Sequence, residues 1–307
     1  MENGDRILVL GASGMVGSAI AAQLRVQGHT LITPSSKDVD LTNQEAVRWL
    51  FRQAKPDYVF LAAAKVGGIL ANSTQPAAFI FSNLAIQTNV MEAAYKANVK
   101  KLLFLGSSCI YPRACPQPIK EEYLLTGPLE PTNEAYAIAK IAGIKMAQAF
   151  NKQLGTRFIS VMPTNLYGPG DHYDLQNSHV LPALLRRFHE AKASGAEGVT
   201  LWGTGVPKRE FLHVSDLASA CLMLMESYEG SDPINVGSGE EVSIYMLALT
   251  IAVAVGYEGG IAWDSSKPDG TPRKLLDSSR MRALGWAPSI GLEEGIRSTY
   301  LNHCPFR

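Results

Sequence analysis

The stretch Ile7-Leu8-Val9-Leu10-Gly11-Ala12-Ser13-Gly14-Met15-Val16-Gly17 reads as a buried strand, a glycine-rich turn and the start of a helix. Its first four residues are continuously apolar, as expected of a strand covered on both faces of a parallel sheet. The glycines allow a tight turn, close approach of a pyrophosphate and close packing of helix on strand. The helix N-terminus then directs free N–H groups at the phosphates. A glycine pattern alone is weak; its place directly after a first strand and before a helix gives it meaning. Gly11, Ala12, Ser13, Gly14, Met15, Val16 and Gly17 are therefore the predicted dinucleotide turn.

Further apolar runs at 58–62, 102–105 and 158–162 are also continuous, and they are separated by segments 15–27, 44–53, 79–98 and 135–153 with apolar residues at three- and four-residue spacing. This β-α alternation predicts an α/β fold with a Rossmann-type doubly wound parallel sheet. After Pro169 the pattern changes to a loop rich in Asp, His, Asn and Gly as far as Ser178, then a helix over 180–193 carrying Arg186, Arg187, Phe188 and His189. The expected division is a dinucleotide-binding domain over 1–168 and a smaller C-terminal substrate-binding lobe over 169–307. A strand-helix unit over 211–226 predicts that 211–238 returns to the first domain.

Of the 307 residues, 46% are apolar and 18% charged, with 28 basic side chains against 28 acidic ones, which excludes disorder and a polyanion-coating surface. Nucleic acid is not an expected partner. Residues 1–5 are polar and acidic, and the run 7–10 is too short for a signal peptide or a membrane span, so the expected compartment is the cytosol, without membrane attachment. Cys109, Cys115, Cys221 and Cys304 show no paired spacing and no histidine companions. They read as free thiols, and no metal is expected.

Cofactor choice turns on the end of the second strand, where an acid about 20 residues past the glycines would hold a ribose hydroxyl. None stands there. Ser35, Ser36 and Lys37 offer hydroxyls and an ammonium to a 2′-phosphate, and the first acid, Asp38, comes late. NADPH is the expected cofactor. Asp40 and Leu41 suit the adenine, and Leu61, Ala62 and Ala63 are small enough for a cofactor to lie against, although plain helix-strand packing asks for the same residues.

The chemistry is carried by Gly106-Ser107-Ser108-Cys109-Ile110-Tyr111 and Tyr136-Ala137-Ile138-Ala139-Lys140. Tyr136 and Lys140 are one helical turn apart on one face, where a cation is expected to lower the tyrosine pKa. Ser107 and Cys109, two apart just past a strand, point the same way if strand geometry persists. Cys109 alone would more often be a core thiol, and His179 alone a helix cap or surface residue.

With Ala62-Ala63-Ala64-Lys65-Val66-Gly67-Gly68-Ile69, Met162-Pro163-Thr164-Asn165-Leu166-Tyr167-Gly168-Pro169, Asn177-Ser178-His179-Val180 and Lys267-Pro268-Asp269-Gly270-Thr271-Pro272-Arg273-Lys274, these segments resemble the extended short-chain dehydrogenase/reductases over nearly the whole chain. Within that family they are most similar to the 3,5-epimerase-4-reductases that turn GDP-4-keto-6-deoxy-D-mannose into GDP-L-fucose. The resemblance implies that Cys109 is the base and His179 the acid for inversion at C3 and C5. Both groups exchange protons near neutrality. It further implies that Tyr136 protonates the C4 oxygen while Lys140 tunes Tyr136 and holds the nicotinamide ribose. Ser107 would bind the carbonyl oxygen. Leu105, Gly106, Pro163, Thr164, Asn165, Leu166 and His179 would lie along the cofactor, and Ser108, Asn165, Arg187, Trp202, Arg209 and Asp269 would hold the GDP-sugar with Ser107 and Cys109. Arginine suits a diphosphate because its planar fork makes two parallel hydrogen bonds. For Arg187 a solvated helix face is the competing reading. The family pattern also implies a homodimer through the helices at 79–98 and 135–153.

Two positions depart from that pattern. Ala12-Ser13 stands where the family usually has His-Arg, and Ser35-Ser36 where it has a basic residue, so NADH stays open as an alternative donor. A related GDP-4-keto sugar, including a heptose, stays open as the substrate. A non-catalytic dinucleotide-sensing regulator is the rival from another class, but it has no need of Ser107, Tyr136 and Lys140 together.

Overall fold

The computed structural model describes the whole chain except residues 3, 175–177, 268 and 307 and the side chain of Ile69; Asn177 and Pro268 of the quoted motifs therefore fall outside the described residues. The first half of the chain runs β1 (Arg6–Leu10), α1 (Met15–Val26), β2 (Thr30–Ile32), α2 (Gln44–Ala54) and β3 (Tyr58–Leu61). It continues through α3 (Ile69–Thr74), α4 (Pro76–Lys96), β4 (Lys101–Leu105), α5 (Glu134–Leu154) and β5 (Phe158–Pro163). Helix α4 begins three residues before the periodicity suggested, because Pro76 is pre-set for a first helical turn. Strand β4 takes in Lys101, which is 1% exposed and donates to the Leu224 carbonyl oxygen.

The alternation along β1 creates the layers. Ile7 and Val9 pack on one face of the sheet with Ile20, Leu24 and Leu217, and Leu8 and Leu10 on the other with Val47, Val90 and Ile144. Both faces are dry, which is why the run is apolar at every position.

Further on come β6 (Asn165–Tyr167), α6 (Val180–Ser194), β7 (Gly198–Trp202), β8 (Lys208–His213), α7 (Val214–Ser227) and β9 (Ile234–Val236). The chain ends with β10 (Glu241–Ser243), α8 (Ile244–Val255), β11 (Gly260–Asp264), β12 (Arg273–Lys274), α9 (Ser279–Ala283) and α10 (Leu292–His303). The main sheet has the order β2-β1-β3-β4-β5-β9, with every pair parallel. The order reverses beside β1, opening a crevice at the carboxyl ends of β1 and β3.

The unit read at 211–226 splits between layers. Its strand, β8, joins β10 and β12 and pairs with β6, whereas α7 packs on α1 and β9 completes the main sheet. Helices α6, α8 and α10 bury Leu185, Phe188, Leu247, Ile251 and Ile296 in a separate core.

A buried carboxylate ties the two parts together. Glu210 is fully buried in β8, and its side chain accepts from Gly239 N–H (2.7 Å) and Leu276 N–H (3.0 Å). Around it the segment carrying β12 is threaded between β8 and the loop after β4: Lys208 N–H donates to Pro272, Ile119 N–H to Leu275 and Asp277 N–H to Ile119. Among the described residues no helix is long and apolar enough to cross a membrane.

Candidate active site

The crevice begins at the glycine turn. Gly11 has φ +89°, and a Cβ there would stand 2.7 Å from Ala63 N and 2.9 Å from the Ala62 carbonyl carbon. A Cβ on Gly17 would stand 2.1 Å from Gly11 O, so the turn and α1 are in backbone contact. Gly14 starts α1 with no side-chain cap and no acid follows in the first turn, leaving a positive helix end bare. Ala12 is half-buried and Ser13 exposed beside it. This cradle fits a dinucleotide pyrophosphate.

The structure rearranges the expected 2′-phosphate group. Ser35 N–H and Oγ both donate to the Asp38 carboxylate, at 2.8 and 2.7 Å, while Ser36 and Lys37 stay exposed. Asp40 accepts from Thr42 N–H and Oγ1, and the Leu41 carbonyl accepts from Asn89. Both acids are held below the usual carboxylate range by these hydrogen bonds. Leu61 is buried at the end of β3, and Ala62 and Ala63 face the turn.

The reactive groups gather where β4 ends. Leu105 is followed by Gly106, whose N–H donates to Val161, and the chain then leaves strand geometry in a 3-10 turn over Ser108–Ile110. Ser107 caps this turn: its Oγ accepts from Cys109 N–H at 3.2 Å. The expected strand alternation of Ser107 and Cys109 therefore gives way to a tight turn, which still keeps the pair together. Ser108 is buried within it. Beyond it a buried network fixes the loop, with Tyr111 Oη donating to Asn235 Oδ1 at 2.6 Å and Asn235 Nδ2 to the Ile119 carbonyl.

Helix α5 brings Tyr136 and Lys140 to the same place. Burial raises the Tyr136 pKa, and the Cys109 charge adds to it, while a hydrogen bond with Ser107 opposes. The expected lowering by Lys140 is not found. Lys140 is 3% exposed, donates to the Leu105 carbonyl at 2.7 Å, and lies 5.7 Å from the Tyr136 ring centroid. Burial alone brings its own pKa down to about 7. Two groups desolvated together each favour their neutral form, so Tyr136 is held as a phenol.

His179 stands at the N-cap position of α6, yet its side chain makes no capping bond. It is exposed at the residue level, but crowded enough that desolvation, followed by the Lys274 charge, lowers its pKa. Lys274 was not singled out from the sequence. Its Nζ donates to Cys109 Sγ at 3.8 Å. The only signal was its basic charge at the end of the quoted Lys267 to Lys274 motif.

Pro163 ends β5, where Thr164 N–H donates to Val236 and Asn165 Nδ2 to the Glu210 carbonyl, with Leu166 following in β6. Farther out, Arg187 donates to the Thr200 carbonyl, while its neighbour Arg186 pairs with Glu190. Trp202 is 69% exposed with the Lys267 ammonium 5.8 Å from its ring centroid. Asp269 accepts from Thr204 N–H and Oγ1 and raises the pKa of Arg209, which desolvation lowers more strongly. Among the described residues no cysteine forms a disulfide, and no group of three His, Cys, Asp or Glu side chains is placed to hold a metal.

Residues 7–237 match the NAD dependent epimerase/dehydratase family. The chain is 60% identical over 300 residues to GDP-L-fucose synthase 1 of Arabidopsis thaliana, covering 97% of this chain and 93% of that protein. Among solved structures it is similar to a GDP-6-OMe-4-keto-L-xylo-heptose reductase from C. jejuni, at TM-score 0.91 and 36% identity over 98% of this chain and 97% of that one. It is also similar to a GDP-L-fucose synthetase from Naegleria fowleri bound to NADP, at TM-score 0.90 and 30% identity over 98% and 94% of the two chains.

Proposed function

Since the chain belongs to the NAD dependent epimerase/dehydratase family, we propose that it epimerises GDP-4-keto-6-deoxy-D-mannose at C3 and C5 and reduces C4 with NADPH, forming GDP-L-fucose. The observation that supports this reading best is the meeting of a thiol with a reductase trio: Cys109 shares the Ser107 hydroxyl with Tyr136, and Lys140 lies beneath them. A plain reductase has no use for the thiol. The C4 ketone acidifies the C–H bonds at C3 and C5, so a base on one face and an acid on the other invert each centre. Cys109 serves as the base and His179 as the acid.

NADP(H) fits the turn, with Gly11 to Gly17 around the pyrophosphate, Ser36 and Lys37 as the free groups for the 2′-phosphate, and Pro163 to Leu166 along the nicotinamide. When bound, it supplies the hydride to C4. Tyr136, held as a phenol by burial, donates its proton to the C4 oxygen, and Ser107 orients that oxygen. Arg187, Arg209, Trp202 and Asp269 form the GDP-sugar half of the cleft, in which Asp269 exchanges its Thr204 contacts for substrate. The main sheet with α7 and β9 forms the cofactor half. A single turnover in D₂O tests the reading: NADPH oxidation with deuterium at both C3 and C5 is expected, and oxidation without exchange would leave a simple reductase. The similarity to a heptose reductase supports a second reading, a related GDP-4-keto sugar. A higher kcat/KM for the 4-keto heptose would establish it.

The cytosol and a homodimer complete the proposal. Helices α4 and α5 pack on each other and leave Phe81 69% and Ile138 42% exposed, an apolar surface suited to the same pair in a second copy. Sedimentation as a dimer at micromolar concentration is expected, with Phe81→Asp shifting it to monomer; a monomeric native protein would defeat this assignment.

A further inference from the structure

Lys274 is a half-buried ammonium with an unusual set of neighbours. The adjacent Arg273 pairs with Glu241 at 2.6 Å, and Lys208 pairs with the same carboxylate at 3.2 Å. Among the described residues no carboxylate pairs with Lys274; its hydrogen bond goes to Cys109 Sγ at 3.8 Å. A partly desolvated cation is favoured by an anion beside it. The contact is also pinned from both sides. Leu275 N–H donates to Gln117 Oε1 at 2.9 Å, Leu276 N–H to the buried Glu210, and Ile119 N–H to the Leu275 carbonyl at 2.7 Å.

Resting on the reading above, in which Cys109 is the base, we infer that Lys274 is the residue that makes it one: its ammonium, held against Cys109 Sγ, stabilises the thiolate that removes the protons at C3 and C5. In each inversion the C–H bond beside the ketone breaks and an S–H bond forms, while the electron pair passes to the C4 oxygen. On the opposite face an N–H bond of protonated His179 breaks, the new C–H bond forms, and the carbonyl is restored; before the second inversion the thiol gives its proton to water and the imidazole takes one from water. At the start Lys274 is neutralised by the thiolate. Among the described residues, the titratable groups that interact with this pair are Tyr136 from α5, whose ionisation the Cys109 charge opposes, Cys115 from the loop, which also feels Lys274, and His179, on which the Lys274 charge also acts. None of them forms an anion that would replace the thiolate as partner of Lys274 at neutral pH.

The test is the pH profile of iodoacetamide alkylation at Cys109, read by peptide mass spectrometry in substrate-free protein, for the native chain, Lys274→Met and Lys274→Arg, each first shown to bind NADPH. Cys109 is expected to react at lower pH than Cys115 in the native protein. In Lys274→Met its profile is expected to move up by roughly one to two pH units, about 10- to 100-fold slower at pH 7, with deuterium exchange at C3 and C5 falling in parallel. Lys274→Arg is expected to restore most of both. An unchanged Cys109 profile in Lys274→Met, with only KM raised, would make Lys274 a substrate contact and overturn the inference. Cys109 reacting no faster than Cys115 at pH 7 in the native protein overturns it without any variant. A native protein that shows the low-pH profile but no exchange with the sugar refutes the proposed function and leaves the Lys274 contact standing.

Discussion

Replacing Cys109 with serine is expected to lower solvent deuterium incorporation at C3 and C5 of the 4-keto sugar by roughly 10²- to 10⁴-fold while leaving NADPH affinity within about twofold, the range for removal of one general base. The two side chains are nearly the same size, and the turn that presents the position is built from backbone: Ser107 Oγ accepts from the N–H of residue 109 and not from its side chain. The loop beyond is fixed by Tyr111 and Asn235, which the substitution does not touch. What changes is basicity. A hydroxyl ionises far above neutral pH even beside a cation, so serine at this position supplies no useful population of base. Measuring exchange at each carbon separately, by NMR of the quenched sugar, makes the outcome decisive. Near-native exchange at both carbons would place the base elsewhere, and loss at one carbon alone would give C3 and C5 different bases.

The parts of this site differ in how far local sequence reveals them. The glycine turn and the continuous apolar strands are local signals, and the parallel doubly wound sheet they predict is the one found. The partition of residues 208–236 is not local: the Phe211-Leu212 end of β8 leads into α7 as a main-sheet strand would, but the place of β8 is set by Asn165, Leu276 and β12, partners distant in the chain. The contact of Lys274 with Cys109 spans 165 residues and rests on a strand of two residues, too short for any periodicity. Spacing correctly put Tyr136 and Lys140 on one helical face but did not show that both are buried. Burial is a property of the surrounding fold, and here it reverses the expected direction for the tyrosine.

Tyr136→Phe separates the two halves of the chemistry. The phenol supplies the proton that the C4 oxygen needs as hydride arrives, so its loss is expected to slow NADPH oxidation by roughly 10²- to 10⁴-fold. Exchange at C3 and C5 is expected to persist within about tenfold, since Cys109, Lys274 and His179 are untouched and Ser107 still offers a donor to the enolate oxygen. The ring itself is retained, and with it the edge-on packing against Phe79 at 6.4 Å. Lys140 also keeps its bond to the Leu105 carbonyl. A structural collapse is therefore not the expected cause of the loss. In the native protein, burial, reinforced by the Cys109 charge, keeps Tyr136 protonated well above neutral pH. A group whose folded pKa is raised holds its proton through the physiological range and loses it only in strong alkali, so the reduction rate should show no decline from tyrosine ionisation between about pH 7 and 9. The decisive result is the ratio of exchange to hydride consumption in one reaction mixture. It should rise by two or more orders of magnitude in the variant, and an unchanged ratio would mean that Tyr136 serves both steps equally, as a donor to the enolate oxygen as well as to the alkoxide.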